Sequence, residues 1–311
     1  MNFDLTADQE ALRDGIRSRC VSRFPMKRVR DGFDRSVWDE LGEAGVFSLR
    51  ADGFGLADAA IAFEELGRAL VPGPLVWGHL AAGRAGGITG GIDVVADGPV
   101  IVEHLDAIDA LAVIDAEGVR LVPAAVIDGA EPAARPLDPL TPVHRVGRLP
   151  DGDRIGGIDL LTQWRLEGAV LIGAFLVGIA RACTDLSVAY AQERRQFDRP
   201  IGSFQAVKHI LADMAVRTEV ARASVHAAAC TVDDPQMEVT RAVSGAKLLA
   251  GDAAVTNGLA ATQVHGGMGF TWEVDVHLYL KRAWLLGTAF GTSGAHADTV
   301  ADCLPAKGDT P

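Results

Sequence analysis

The most informative stretch of this chain is Glu193-Arg-Arg-Gln-Phe-Asp-Arg-Pro-Ile-Gly-Ser-Phe-Gln205, which lies where one long helical pattern ends and the next begins. Arg194 stands at the end of the first helix, where a cation interacts favourably with the helix dipole. A guanidinium can also hold a pyrophosphate through two parallel hydrogen bonds. Taken alone, Arg194 is either a surface residue that stabilises its own helix end or an anion clamp. Phe197 taken alone reads as a core residue.

A second informative stretch is Gln263-Val-His-Gly-Gly-Met-Gly-Phe-Thr-Trp-Glu273. Its glycines end a helix and let the backbone come close to a ligand, and their amides can bind anionic or carbonyl oxygens. The alternative is a helix C-cap that binds nothing. The stretch therefore marks a candidate site next to a helix end.

Around these stretches the pattern of apolar residues predicts a bundle of four long helices, at 167–193, 203–231, 236–264 and 273–303. The first part of the chain is also helical, and Thr6 and Gln9 stand at the spacing of a capping box. The glycines of Gly86-Gly-Ile-Thr-Gly-Gly91 read as a flexible connection, because no Lys-Ser/Thr pair follows them as in a phosphate loop.

Between the two helical regions the chain changes character. Short β-branched runs such as Leu111–Asp115 are separated by Gly, Asp and Pro, which predicts a small β domain. The fold prediction is a mainly α protein with a small β domain in the middle. Its three parts are an N-terminal helical domain (1–75), a middle β domain (76–157) and a C-terminal helical bundle (158–311).

Composition excludes several classes of function. The 311 residues carry a formal net charge of −12, which disfavours a nucleic-acid or anionic membrane surface. The longest apolar run, 169–179, is shorter than the roughly 20 residues that span a bilayer. No His, Cys or carboxylate cluster has the spacing of metal ligands. With no visible signal peptide and no paired cysteines, we expect a cytoplasmic protein without a metal.

Together with Leu278-Tyr-Leu-Lys-Arg282, the two stretches resemble the acyl-CoA dehydrogenase family of flavoproteins. The resemblance covers most of the chain and is weakest in the middle domain. It implies that the ADP part of an FAD, belonging largely to a neighbouring subunit, is held by Arg194, Gln205, Gln263, Gly266 and Gly267. In this context we expect His265 to pack or to form a hydrogen bond rather than to act in catalysis.

The resemblance also shows what is missing. The family removes an α-proton from an acyl-CoA with a carboxylate while hydride leaves for the flavin. In most members that base is a Glu just before a Gly-Thr pair, and Phe290 occupies this position here. In other members the Glu lies on a helix, at a position matched here by Asp252. Asp is shorter by roughly 1.5 Å, and misplacement on that scale costs about 10²-fold. Alternatively, Asp252 is a solvated residue on the face of a helix and has no catalytic role.

The middle domain lacks the family's Thr-Glu-Pro and Gly-Ser-Asp motifs and its Trp-containing strand, which cover the flavin ring. It is therefore a reduced β domain. The missing base and the missing flavin-covering motifs both belong to the part of the site where the reaction takes place. The residues that the resemblance assigns to a neighbouring subunit's FAD are still present. The chain thus resembles the shorter, base-less subunit of actinobacterial α2β2 dehydrogenases of steroid catabolism.

The resulting hypothesis is a subunit that completes the FAD site of a larger acyl-CoA dehydrogenase chain, which supplies the catalytic Glu and the flavin pocket. The expected substrate is a bulky acyl-CoA, such as a steroid side chain, and the expected acceptor resembles an electron-transfer flavoprotein. Two alternatives stay open: a homomeric dehydrogenase that uses Asp252 as base, and a flavin-free structural or regulatory subunit.

Overall fold

A computed structural model describes residues 4–94, 98–234 and 236–304. The ends of the predicted first and third domains, at 1–3 and 305–311, therefore lie outside the described residues. The helices within the described part are α1 (Ala7–Arg23), α2 (Met26–Arg30), α3 (Arg35–Glu43), α4 (Leu56–Arg68), α5 (Leu75–Leu80), α6 (Ile158–Glu193), α7 (Gln205–Val232), α8 (Val239–His265), α9 (Val276–Leu286) and α10 (Ser293–Asp302).

The strands lie mostly between α5 and α6. They are β1 (Thr89–Asp93), β2 (Val100–Glu103), β3 (Ala110–Asp115), β4 (Gly118–Pro123), β5 (Glu131–Pro132), β6 (Val143–Val146), β7 (Asp153–Gly156), β8 (Arg195–Gln196) and β9 (Arg199–Pro200). A four-stranded sheet has the order β1-β3-β4-β7, with β1 parallel to β3 and the other pairs antiparallel. A three-stranded antiparallel sheet has the order β2-β6-β5, and β8 and β9 form a separate hairpin.

The N-terminal helices begin and pack as their sequence predicts. Thr6 Oγ1 accepts a hydrogen bond from the Gln9 amide while the Gln9 side chain accepts one from the Thr6 amide, so the capping box of α1 is confirmed. Helix α4 crosses α6 at small residues: a side chain at Gly67 would overlap the backbone of Phe175, and one at Gly178 would overlap that of Glu64. The glycines thereby bring the two helical regions into direct contact.

Helix α6 is the central element of the core. It has 36 residues and is long and apolar enough to cross a membrane, but 89% of its most apolar window is buried inside the protein. Its contacts with α4, α7 and α8 account for that burial. We therefore describe α6 as the core helix of the bundle, in line with the sequence prediction.

Two local predictions are wrong. The predicted helix 273–303 is broken into α9 and α10, because the turn between them contains Phe290 and Gly291 at positive φ, 54° and 105°, which a continuous helix does not allow. The predicted flexible connection Gly86–Gly91 contributes residues 89–91 to β1, where Gly91 leaves room for the ring of Trp77.

A buried ion pair joins the β domain to the bundle. Arg282 of α9 donates from Nε to Asp138, which follows β5, and both side chains are almost fully buried. Thr141 Oγ1 and the Leu140 amide also donate to the Asp138 carboxylate, at 2.8 and 3.0 Å. The carboxylate is thus fully used as an acceptor, as a buried charge requires.

Candidate functional site

Arg194 lies at the C-terminal end of α6. Its amide closes the last turn of the helix by donating to the Tyr190 carbonyl at 2.8 Å, its backbone is extended, and its own carbonyl accepts from the Ile201 amide at 2.8 Å. The Arg194 side chain is exposed. Among the described residues none accepts a hydrogen bond or forms an ion pair with its guanidinium. The cation is therefore available to an anionic ligand from outside the chain.

The hairpin of β8 and β9 follows Arg194 directly. Its two-residue tip, Phe197 and Asp198, has positive φ at both positions, 51° and 60°, where glycine and asparagine are usually found. Phe197 is 86% exposed, so the reading of Phe197 as a core residue is wrong. The hairpin turns the side chain outward, and the Arg195 guanidinium holds the tip by donating to the Asp198 carbonyl at 2.5 Å.

Gln205 is the first residue of α7 and is exposed. Among the residues that the structure describes, no side chain caps the first turn of this 28-residue helix, so its first amides can bind an acceptor from outside. The turn before α7 packs tightly on α6, because a side chain at Gly202 would meet the Ala191 carbonyl at 2.9 Å. The start of α7 therefore lies beside the end of α6, and Gln205 is close to the segment that carries Arg194.

Gln263, Gly266 and Gly267 lie at the C-terminal end of α8. Gly266 has φ 60° and ψ −141°, a conformation open essentially only to glycine. Apart from neighbouring backbone, no atom of the described part of the chain lies within 4 Å of the place where a side chain would start at Gly266 or Gly267. The turn is thus open toward solvent, and its backbone is accessible to a ligand.

An open groove of about 790 Å³ runs along this turn. Its lining is mainly apolar and combines Ile210 of α7 with Leu259 of α8 and Phe270. The polar side chains of the lining are Thr256, Thr262 and Gln263, and Gly266 and Gly267 contribute backbone. Phe270 is 73% exposed and Gln263 is also exposed. A volume in this range suits an organic cofactor or a part of one.

The ends of α6 and α8 are held together by two rings. Tyr190 of α6 stacks on His265 of α8, with ring centroids 4.2 Å apart and planes at 24°. His265 Nδ1 donates to the Ala261 carbonyl at 2.8 Å, and burial lowers the pKa of this histidine. His265 therefore packs and forms a hydrogen bond, as we expected from the sequence, and its ring joins the helix end before Arg194 to the helix end before Gly266.

Phe290, at the position of the family's base, lies in the turn between α9 and α10. It is 7% exposed and adopts a left-handed backbone conformation, φ 54°, which is strained for a bulky residue. Its ring packs against that of Trp77 of α5 with centroids 4.6 Å apart and planes tilted by 32°, and a side chain at Gly168 of α6 would overlap it. A phenyl ring has no proton acceptor, so this position provides no base.

Two buried side chains hold the turn around Phe290. Lys247 of α8 donates from Nζ to the carbonyls of Gly287 and Gly291, at 3.1 and 3.4 Å. His296 Nε2 donates to the Phe290 carbonyl at 3.0 Å. Burial lowers the pKa of Lys247 to about 8. Burial also lowers the pKa of His296, and the positive charge of Lys247 lowers it further.

Asp252 lies elsewhere, on the exposed face of α8. Its carboxylate accepts a hydrogen bond from Thr256 Oγ1 at 3.4 Å, one turn along the same helix. Phe290 by contrast is buried against α5 and α6. The exposure of Asp252 favours a solvated helix-face residue over a base, because a base needs a position beside the reacting carbon.

Sequence reasoning missed Trp77, Lys247 and the exposure of Phe197. Lys247 carried a signal, since it is a charged residue among small apolar residues on a helix that has to be buried. The pair Phe197-Asp198 was a second signal, because a two-residue hairpin tip usually turns its side chains toward solvent. Nothing in the local sequence around Trp77 indicated that its ring meets Phe290, which is more than 200 residues away.

No group of three or more His, Cys, Asp and Glu side chains within residues 4–94, 98–234 and 236–304 is arranged to hold a metal ion.

Comparisons with known proteins agree with this architecture. The family model of the acyl-CoA dehydrogenase C-terminal domain matches residues 156–304. The chain is 36% identical over 267 residues to acyl-CoA dehydrogenase IpdE2 of Mycobacterium tuberculosis, and the match covers 81% of each protein.

Two solved structures show the same fold. One is a chain of the ChsE4-ChsE5 complex from Mycobacterium tuberculosis, with a TM-score of 0.81 and 24% identity over the whole of both chains. The other is a chain of a Tcur3481-Tcur3483 steroid ACAD variant, with a TM-score of 0.80 and 21% identity over 95% of this chain and 97% of that one. With its fold, its family match and its similarity to IpdE2, this chain belongs to the acyl-CoA dehydrogenase family of flavin-dependent oxidoreductases.

Proposed function

We propose that this chain is a non-catalytic but necessary subunit of a heteromeric, FAD-dependent acyl-CoA dehydrogenase. The observation that carries the proposal is a division within the chain. Arg194 is exposed and has no ion-pair partner among the described residues, and the end of α8 borders an open groove, whereas the position of the base holds a buried Phe290. In this proposal the chain supplies the binding half of a flavin site and lacks the chemical half.

The residues that would hold the cofactor fit the ADP part of FAD. The Arg194 guanidinium can form charge-assisted hydrogen bonds with a pyrophosphate, and the uncapped first turn of α7 at Gln205 favours an anion. Gln263, Gly266 and Gly267 present a side-chain amide and accessible backbone beside an apolar groove that suits an adenosine. Because this groove opens outward, we infer that the flavin ring lies in a partner chain.

Bound FAD supplies the acceptor for the hydride that leaves the β-carbon of an acyl-CoA. The proton of the α-carbon has to go to a carboxylate, and this chain offers Phe290 at the family's position and an exposed Asp252 elsewhere. In the proposal the partner provides the Glu that takes this proton. The role of this chain is to orient the cofactor and to keep water from its ADP end.

The proposed partner is a second, larger acyl-CoA dehydrogenase chain in an α2β2 assembly. The likeness to chains of two-component complexes, ChsE4-ChsE5 and Tcur3481-Tcur3483, supports this choice. The description of the latter as a steroid ACAD supports a bulky substrate such as a steroid side-chain thioester. The acceptor of the electrons in this proposal resembles an electron-transfer flavoprotein, and the three parts of the chain keep the boundaries 1–75, 76–157 and 158–311.

Turnover tests the proposal. The chain, a larger dehydrogenase chain encoded beside it, and the co-expressed pair are each assayed for reduction of a dye by a steroid side-chain acyl-CoA. We expect turnover only by the pair. Turnover by this chain alone would favour the homomeric dehydrogenase, and full turnover by the larger chain alone would favour a structural subunit.

A further inference from the structure

A second cleft, of about 380 Å³, lies between the segment after α3, the end of α5 and the N-terminal part of α6. Its lining combines charged and polar side chains with apolar surface from Leu80 and Trp164. None of the residues that line it belongs to the stretches 193–205 and 263–273, so it has no residue in common with the proposed FAD clamp. Its volume lies in the range of about 300–1,000 Å³ in which pockets bind small organic molecules.

The cleft borders a buried side chain with an unused hydrogen-bond acceptor. His79 of α5 is 3% exposed, and its Nδ1 lies 3.0 Å from the carbonyl oxygen of Val46. Because a carbonyl oxygen only accepts, Nδ1 carries the proton and Nε2 presents a lone pair. Burial lowers the pKa of His79 and keeps its ring neutral, while the charges of Glu167 and Arg50 act on it in opposite directions. Nε2 has no partner within the part of the chain that the structure describes, so it needs a donor from outside.

A second acceptor lines the same cleft. Glu167 of α6 is 4% exposed, and its Oε1 accepts from Arg50 Nη2 at 2.9 Å and from Gln163 Nε2 at 3.1 Å. Its Oε2 accepts no hydrogen bond from the residues that the structure describes. Arg50 also forms an ion pair with Asp233 at 2.9 Å, so that one guanidinium is shared by two carboxylates. This group therefore carries one more negative than positive charge, and it favours a cation with several N–H donors, such as an ammonium.

The cleft also carries an exposed cation. Arg84, which follows α5, is exposed, and none of the described residues accepts a hydrogen bond from its guanidinium or forms an ion pair with it. A guanidinium holds a carboxylate through two parallel hydrogen bonds. The cleft thus offers two acceptors to a cationic group and one free cation to an anionic group.

We propose that this cleft binds a small amino carboxylic acid, with its ammonium group at His79 and Glu167 and its carboxylate at Arg84. A carboxylate alone would leave both buried acceptors without a donor, and an amine alone would leave Arg84 without an anion. One molecule that carries both charges satisfies all three side chains, and the surface of Leu80 and Trp164 suits its carbon chain. The proposal needs neither FAD nor a partner chain.

Isothermal titration calorimetry of the full chain tests the class of ligand. The probes are leucine and 5-aminopentanoate, whose charged groups are close together and far apart, and each is compared with the two analogues that lack its ammonium or its carboxylate. We expect one of the probes to bind at least about tenfold more tightly than both of its analogues, because each analogue loses charge-assisted hydrogen bonds. No binding of either probe up to about 10 mM, where millimolar dissociation constants are measurable, would overturn the proposal. Analogues that bind as tightly as their probe would do the same.

A variant places the ligand in this cleft. Arg84→Ala removes an exposed side chain, so the variant should fold, and a melting curve checks this. We expect the dissociation constant of the bound probe to rise at least about tenfold. Arg148→Ala, at an exposed arginine of the β domain outside the cleft, is the matched control and should leave the constant unchanged. A folded Arg84→Ala variant that binds the probe as tightly as the native chain would contradict the assignment to this cleft.

Discussion

Tyr190 stacks on His265 with ring centroids 4.2 Å apart, and this contact joins the last turn of α6 to the last turn of α8. Four residues after Tyr190 the chain reaches Arg194, and directly after His265 it reaches Gly266. The two most informative stretches of the sequence, 193–205 and 263–273, are thus neighbours in space. In the proposed FAD clamp one ligand contacts both of them, and the contact between the two helix ends supports that proposal.

Arg194→Ala should weaken the retention of FAD by the complex. The loss of charge-assisted hydrogen bonds to a pyrophosphate costs about 1.5–3 kcal/mol, which is roughly a 10- to 100-fold rise in the dissociation constant of FAD. Fluorescence titration of the flavin-depleted complex measures it. Arg241→Ala, at an exposed arginine of α8 paired with Glu238, is the matched control and should leave the constant unchanged. Equal constants for the two variants would argue against the clamp.

Gly266→Ala should destabilise the protein and distort the turn. At φ 60° and ψ −141° a residue with a side chain is strained by about 1–3 kcal/mol, so the melting temperature and the retention of FAD should both fall. Gly245→Ala on the same helix is the control. It has helical geometry and free space around it, and it should raise stability by roughly 0.5–1 kcal/mol. A Gly266→Ala variant as stable as the native protein would show that the turn differs from our description.

Lys247 should make stability depend on pH. Burial lowers its pKa to about 8, from 10.5 in an unfolded chain. Between these values the unfolded chain holds a proton that the folded chain has released, so the contribution of Lys247 to the free energy of unfolding should rise with pH, by up to about 3 kcal/mol in total. The buried thiols of Cys20 and Cys183, whose pKa values burial raises to about 12, act in the opposite direction above pH 9 and are the same in every variant compared. Lys247→Met should remove this rise in urea unfolding curves recorded from pH 7.5 to 10.5. Lys208→Met, at an exposed lysine of α7, should retain it, and a rise that survives in Lys247→Met would assign it to other groups.

Asp252→Ala should leave the turnover of the complex within about twofold of the native value, because exposed positions on helices rarely affect chemistry or stability. Steady-state rates with a saturating acyl-CoA measure this. A loss of about 10² or more would be expected only for a group that acts on the reacting atoms. Such a loss would favour the alternative hypothesis of a homomeric dehydrogenase that uses Asp252 as its base.

Much of the fold follows from local pattern. Helical periodicity predicted the long helices α6, α7 and α8, because burial on one face leaves a period in the sequence. A β-branched run between turn residues predicted the strand β3. The break between α9 and α10 escaped prediction. It depends on Lys247 and His296, which hold the turn through hydrogen bonds from other helices. A contact of this kind leaves no periodic signal.

The candidate site divides in the same way. Glycines and arginines at helix ends, such as Gly266 and Arg194, can be recognised in the sequence. Only a few residue types suit the backbone geometry and the dipole at the C-terminal end of a helix. The pairing of Trp77 with Phe290 and that of Asp138 with Arg282 join residues 213 and 144 positions apart. Both depend on how the β domain and the bundle meet, which local pattern does not contain.

The ratio of FAD to protein tests the central claim most directly. FAD is released by heat from this chain alone, from its larger partner alone and from the purified complex, and is counted against protein by absorbance. We predict no FAD in this chain alone and one FAD for every two chains in the complex. One FAD bound per chain in this protein alone, together with acyl-CoA oxidation, would contradict the account.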